Sequence, residues 1–121
     1  LGYVTRSGAL ETGWRVPTYA DWTALIAALG GTTLAGGAGK EVGTTHWSSP
    51  NTGANNSSGF TAIPGGKAMV GYTTLSELGL KGSYLVSDSN LVVTFSWANA
   101  QAIFESIDQV DCYSVRLCKT I

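Results

Sequence analysis

Cys112 and Cys118, in the stretch DCYSVRLC, are the only thiols in this 121-residue chain. A thiol pair can bind a soft metal or cycle between reduced and oxidised forms. The spacing argues against both. On a continuous strand, positions 112 and 118 share a face but lie roughly 20 Å apart, whereas a disulfide needs Cα atoms within about 7 Å. One thiolate pair with a single distant histidine, His46, does not complete a familiar tetrahedral metal set either. The residues read as two small half-buried thiols on a closing strand, with Tyr113, Val115 and Leu117 as an apolar row on its other face. Disulfides to other chains or to residues missing from this sequence are the alternative.

The other reactive side chains do not assemble into a motif. His46 has no Gly-x-Ser-x-Gly elbow elsewhere in the chain to serve, so no Ser-His-Asp set can be built. The run GGAGKE, residues 36–41, looks like a phosphate loop, but that spacing would need Gly where Leu34 stands and Ser or Thr where Glu41 stands. The eight carboxylates are dispersed, without the close pair of a glycosidase. The Asn-rich loop 51–59 has side-chain oxygens but no carboxylate, which suits turns better than calcium. No metal site and no cofactor are expected.

Composition narrows the class further. Only 12% of residues are charged and the net charge is −1, so no basic stripe exists to neutralise a phosphate backbone, and nucleic acid is not an expected partner. No apolar run reaches the ~18 residues of a membrane-inserted helix. Sixteen glycines and four tryptophans point to a loop-rich single domain over residues 1–121. A start at Leu1 rather than Met is compatible with a missing N-terminal part.

The clearest element is a helix over 19–29. Thr18 caps it, Asp21 sits in its first turn, Trp22, Leu25, Ile26 and Leu29 form one apolar stripe, and Gly30 and Gly31 stop it. Residues 32–59 read as a long ordered loop or a set of turns, after which Phe60 and Ala62 share a face. Strands are predicted near 84–87, 91–97, 102–106 and 112–118. Trp14, Trp22 and Trp47 are expected in the core.

Two stretches carry a family resemblance. GWRVPTYADWTALIAALGG resembles the Gly-Trp-Arg-Val-Pro-Thr-x-x-x-Trp motif of the Fibrobacter succinogenes major paralogous domain, and HWSSPNTGANNSSGFTAIPGG resembles that family's middle segment. YSVRL is similar to its closing strand. The resemblance implies an α+β, C-type-lectin-like fold, with one main helix packed on a small twisted antiparallel sheet. It also implies a non-enzymatic ligand- or receptor-binding domain on a phage tail fibre or bacterial surface, taking a host-cell surface protein or glycan. A purely structural virion or surface domain is the alternative. The more distant formylglycine-generating enzyme shares the helix start and uses two cysteines, but its copper-binding pair lies before the final strand rather than flanking it, so an oxidase is not expected. Low charge, a sheet short of strands and the fibre context predict a homo-oligomer, such as a trimer, or a fibre partner.

In relatives diversified by retroelements the variable residues lie on the C-terminal sheet and its turns. Carried over, this gives the interval from Ser87 to Asp111. Within it Val92, Val93, Phe95, Ile103 and Val110 are assigned to the core, and Trp97, Asn99, Gln101, Phe104, Glu105 and Asp108 to an outward ligand face. Trp97 has two readings, an aromatic anchor beside hydrogen-bonding amides or one more core residue.

Overall fold

The computed structural model describes residues 12–69, 74–107 and 111–120. Strand β1 (Trp14–Arg15) leads into helix α1 (Tyr19–Ala28). The expected cap is present: Thr18 Oγ1 accepts from the Asp21 amide, and the Asp21 carboxylate accepts from the Thr18 amide. The chain leaves the helix through Gly30 and Gly31 at φ +103° and +88°, a region open to glycine at no steric cost.

The strongest sheet is an antiparallel meander of β4 (Lys81–Leu85), β5 (Leu91–Ser96) and β6 (Ala102–Ser106). Its register puts Tyr84, Val93 and Phe104 in one row and Gly82, Phe95 and Ala102 in the next, on the same face. That face meets Trp22 and Ile26 of α1, with Ala35, Trp47 and Ala62, to form the core. The opposite face carries Leu85, Val92 and Glu105, then Ser83, Thr94 and Ile103. Residues 92–95 of β5 are buried on both faces, which explains why LVVTF lacks the alternation of a half-exposed strand.

Two smaller sheets complete the described structure. β2 (Lys67–Ala68) lies between β3 (Leu75–Ser76) and β7 (Cys112–Tyr113), and β1 pairs with β8 (Cys118–Lys119). These findings correct the expected α+β, C-type-lectin-like arrangement. The described residues form mostly small strands in three antiparallel sheets with two short helices, of ten and five residues. Because α1 ends at the glycine pair and buries only Trp22 and Ile26, it flanks the core rather than serving as the main packing layer.

Other expectations also change. The closing strand 112–118 is broken, since β7 pairs with β2 while β8 turns to β1. Its apolar row is not a core row, and Leu117 is exposed. Trp22 and Trp47 are buried, but Trp14 stands on a two-residue strand at the surface, its ring against the Lys119 ammonium. Ile103 and Phe104 exchange roles. Phe104 lies opposite the buried Val93 and packs on the core, while Ile103 takes the outer face. Val110 is outside the described residues.

The segment expected to be loop contains helix α2 (Ala35–Gly39), five small residues, all buried. The Gly37 amide donates to Ala100 O, and Gly37 O accepts from the Asn55 and Asn56 amides. A Cβ on Gly36 would come within 2.1 Å of the Gln101 carbonyl oxygen, so only glycine permits this approach. Next to α2, Lys40 is wholly buried. Its ammonium donates to the carbonyls of Thr52, Ser96 and Asn99, each at 2.8 Å, and lies 5.4 Å from the centre of the Trp47 ring. All three N–H donors therefore have acceptors.

Gly36→Ala should destabilise the domain by about 3 kcal/mol or more, read by urea unfolding; a loss below the ~1 kcal/mol of mild overpacking would show that the turn at 100–101 moves away freely. Lys40→Met, which orphans three carbonyls, is expected to cost about 2–4 kcal/mol. Burial pulls the Lys40 ammonium down to about 8 from 10.5. Between these values the unfolded chain binds more protons than the native one, so the contribution of this titration to stability rises with pH across the window and is lost below it. Unfolding free energies of wild type and Lys40→Met should diverge from pH 8 to 10.5; parallel curves would refute the assignment.

Candidate functional site

The capped start of α1 positions the first wall of a cleft of about 330 Å³, lined by Pro17, Asp21, Trp22, Leu25, Phe60, Arg116, Leu117 and Cys118. Trp22 is held by its Nε1–H donating to Leu85 O at 3.4 Å, which fixes the indole between helix and sheet. Phe60 is half-buried and belongs to an aromatic cluster with Trp22, Tyr84 and Phe95, at centroid separations of 5.9–6.1 Å. Those spacings are within the range of favourable offset and edge contacts. Tyr84 is buried in the cluster, which raises its hydroxyl pKa, and its oxygen accepts from the Ile63 amide at 3.3 Å. The cleft therefore rests on a fixed aromatic floor.

Its charges are unequally engaged. Arg15 grips Asp21 through both terminal guanidinium nitrogens, Nη1 and Nη2, and the Thr18 amide and hydroxyl also donate to this carboxylate. Arg15 first, then Thr18, holds the Asp21 carboxyl well below the usual carboxylate range. Arg116 is different. Its guanidinium carbon lies 4.2 Å from the Phe60 ring centre, and no carboxylate among the described residues forms an ion pair with it. A guanidinium lying on an aromatic ring keeps in-plane N–H groups for a planar anion.

The lining comes from three separate stretches: residues 17–25, Phe60, and residues 116–118. All three lie within residues 5–119, which match the profile of the Fibrobacter succinogenes major domain. The chain belongs to this family. No curated protein and no solved structure matches it. In this Fibrobacter succinogenes major domain the segments that carry the family motif therefore converge on one cleft.

The expected ligand face of the domain is only partly assembled. Trp97, Asn99 and Gln101 cluster at the turn joining β5 and β6. Trp97 is half-buried against the core, the Asn99 side chain accepts from the Gln101 amide at 2.9 Å, and Gln101 is exposed. Farther along β6, Phe104 stacks on Tyr19 at 4.6 Å, while Glu105, its neighbour in the strand, turns to the other face. Asp108 lies outside the described residues. Glu105 shares Lys81 with Glu77, and Lys67 pairs with Asp111 at 3.1 Å, around a charged cavity of about 130 Å³. There each described lysine has a carboxylate partner.

Cys112 and Cys118 are free and belong to different small sheets. Among the described residues no group of three His, Cys, Asp or Glu side chains could hold a metal ion, and no helix is long and apolar enough to cross a membrane. His46 is exposed and pairs with Glu41 at 2.9 Å. Sequence reasoning passed over Arg116 and Phe60 as site residues, although both stand in the quoted motifs. A lone arginine amid the otherwise uncharged run CYSVRLC was the available signal.

Asp21→Asn should lower the melting temperature at neutral pH, because it removes the acceptor that joins Arg15 to the helix cap. Since the native carboxyl pKa is depressed, its contribution is fully present above the ordinary value near 4 and is lost as pH falls through the native one. The wild-type and Asp21→Asn melting temperatures should therefore converge as the pH drops below about 4; a constant difference would contradict the ion-pair assignment.

Proposed function

We propose that the domain is a non-enzymatic binding module, displayed on a phage tail fibre or a bacterial surface, that recognises a molecule on a host cell. The observation that carries this reading is the Arg116 cleft, a preformed apolar concavity whose cation has no ion partner among the described residues. At about 330 Å³ it falls within the ~300–1,000 Å³ range of small-ligand pockets.

A structural role in a virion or surface assembly is the second reading. It is favoured by exposed apolar side chains around the β2–β3 hairpin, Ile63, Leu75 and Leu78, the last two more than 60% exposed. Such side chains suit a protein contact better than water.

The two readings separate in a cell-binding assay. The purified domain should label host cells or arrayed surface molecules, and Arg116→Gln should weaken labelling by about tenfold or more at a temperature where the variant is still folded by circular dichroism. Trp97→Ala serves as the control for the turn: its half-buried ring predicts lost stability more than lost labelling. Labelling unchanged by Arg116→Gln would remove the cleft from binding. Self-association abolished by Leu78→Asp, with no labelling of any cell, would favour the structural reading.

A further inference from the structure

We propose that the Arg116 cleft receives the C-terminal residue of a protein chain, with Arg116 holding the terminal carboxylate and the apolar walls holding the last side chain. The inference rests on the binding-module reading and narrows it from any surface molecule to a polypeptide end. Charge favours a carboxylate. Asp21 is neutralised within the cleft by Arg15, so the unbalanced group on its surface is one guanidinium, which suits a single monoanion. A planar carboxylate matches the in-plane N–H groups of a ring-stacked arginine in a two-point contact.

The cleft is also poor in polar partners. Besides Arg116, the polar side chains of the cleft are the engaged Asp21 and the thiol of Cys118, a weak hydrogen-bonding group. A sugar would bring several hydroxyls into a space lined by Pro17, Trp22, Leu25, Phe60 and Leu117, and each one left without a partner would oppose binding. A terminal Leu or Phe instead joins carboxylate and apolar side chain at a single Cα, the shortest link between the charged and apolar parts of the site. An internal Asp or Glu would have to bring a neighbouring side chain and its passing backbone into the same volume.

Fluorescence anisotropy with labelled peptides tests this on the full chain. A peptide ending in Leu-Phe with a free carboxylate should bind about tenfold or more tightly than its C-terminal amide, the discrimination expected when a charged hydrogen-bond acceptor is lost. The acid-over-amide preference should disappear in Arg116→Gln. It should survive in part in Arg116→Lys, which keeps the charge but not the fork. The paired peptides on the wild-type protein decide the matter even if both variants fold poorly. Equal binding of acid and amide, tighter binding of an internal-Asp peptide or of an oligogalacturonate, or no binding of the acid peptide would each overturn the proposal. The binding-module reading would survive any of these if the domain still labelled cells, and would keep the cleft as its site only if Arg116→Gln weakened that labelling.

Discussion

One buried ammonium ties together the irregular half of this domain. Lys40 stands beside a helix too short and too small-sided to hold itself in place, and its three donors meet carbonyls from two distant segments, Thr52 in the 51–59 loop and Ser96 and Asn99 at the β5–β6 turn. Transfer of a charge from water into protein is tolerated only when such partners are complete. The geometry therefore works in both directions: the carbonyls make the buried charge tolerable, and the charge fixes where the turns must lie. Helix α2, the 51–62 segment and the β5–β6 turn are within hydrogen-bonding distance of one another as a result.

The aromatic floor is the second fixed part, and Phe60 links it to the site. The same ring packs on Trp22, Tyr84 and Phe95 and supports Arg116. A side chain that serves both core and cleft is held without loop flexibility, which spares the ordering cost that a mobile contact residue would incur on binding. The cleft's shape thus follows from packing that the fold already requires.

Legibility in the sequence followed the range of the interactions. Helix α1 was readable to its cap and its glycine stop because capping and amphipathic spacing are local. Strands β5 and β6 were readable from apolar and β-branched runs. The phase of β6 was not: whether Ile103 or Phe104 faces the core depends on pairing Ala102 with Phe95, a choice made across the sheet. Helix α2 escaped because AGGAG has no side chains to make a pattern, its burial being dictated by backbones distant in sequence. In the sequence Lys40 ends a glycine-rich run that looks like a phosphate loop, and nothing local announces that a lysine will be enclosed. The break between β7 and β8 likewise arises from partners some 45 to 105 residues away. At the site, the motif segments were legible while their convergence was not, since Phe60 and Arg116 meet only after folding.

The pairing of β1 with β8 has one more consequence. Trp14 lies opposite Lys119, and the Thr120 amide donates to Gly13 O at 2.8 Å. The backbone at residues 13–15 thus runs beside that at 118–120, as the two rails of a single ladder. A unit built this way can be spliced into a surface turn of a larger protein without prising the flanking segments apart.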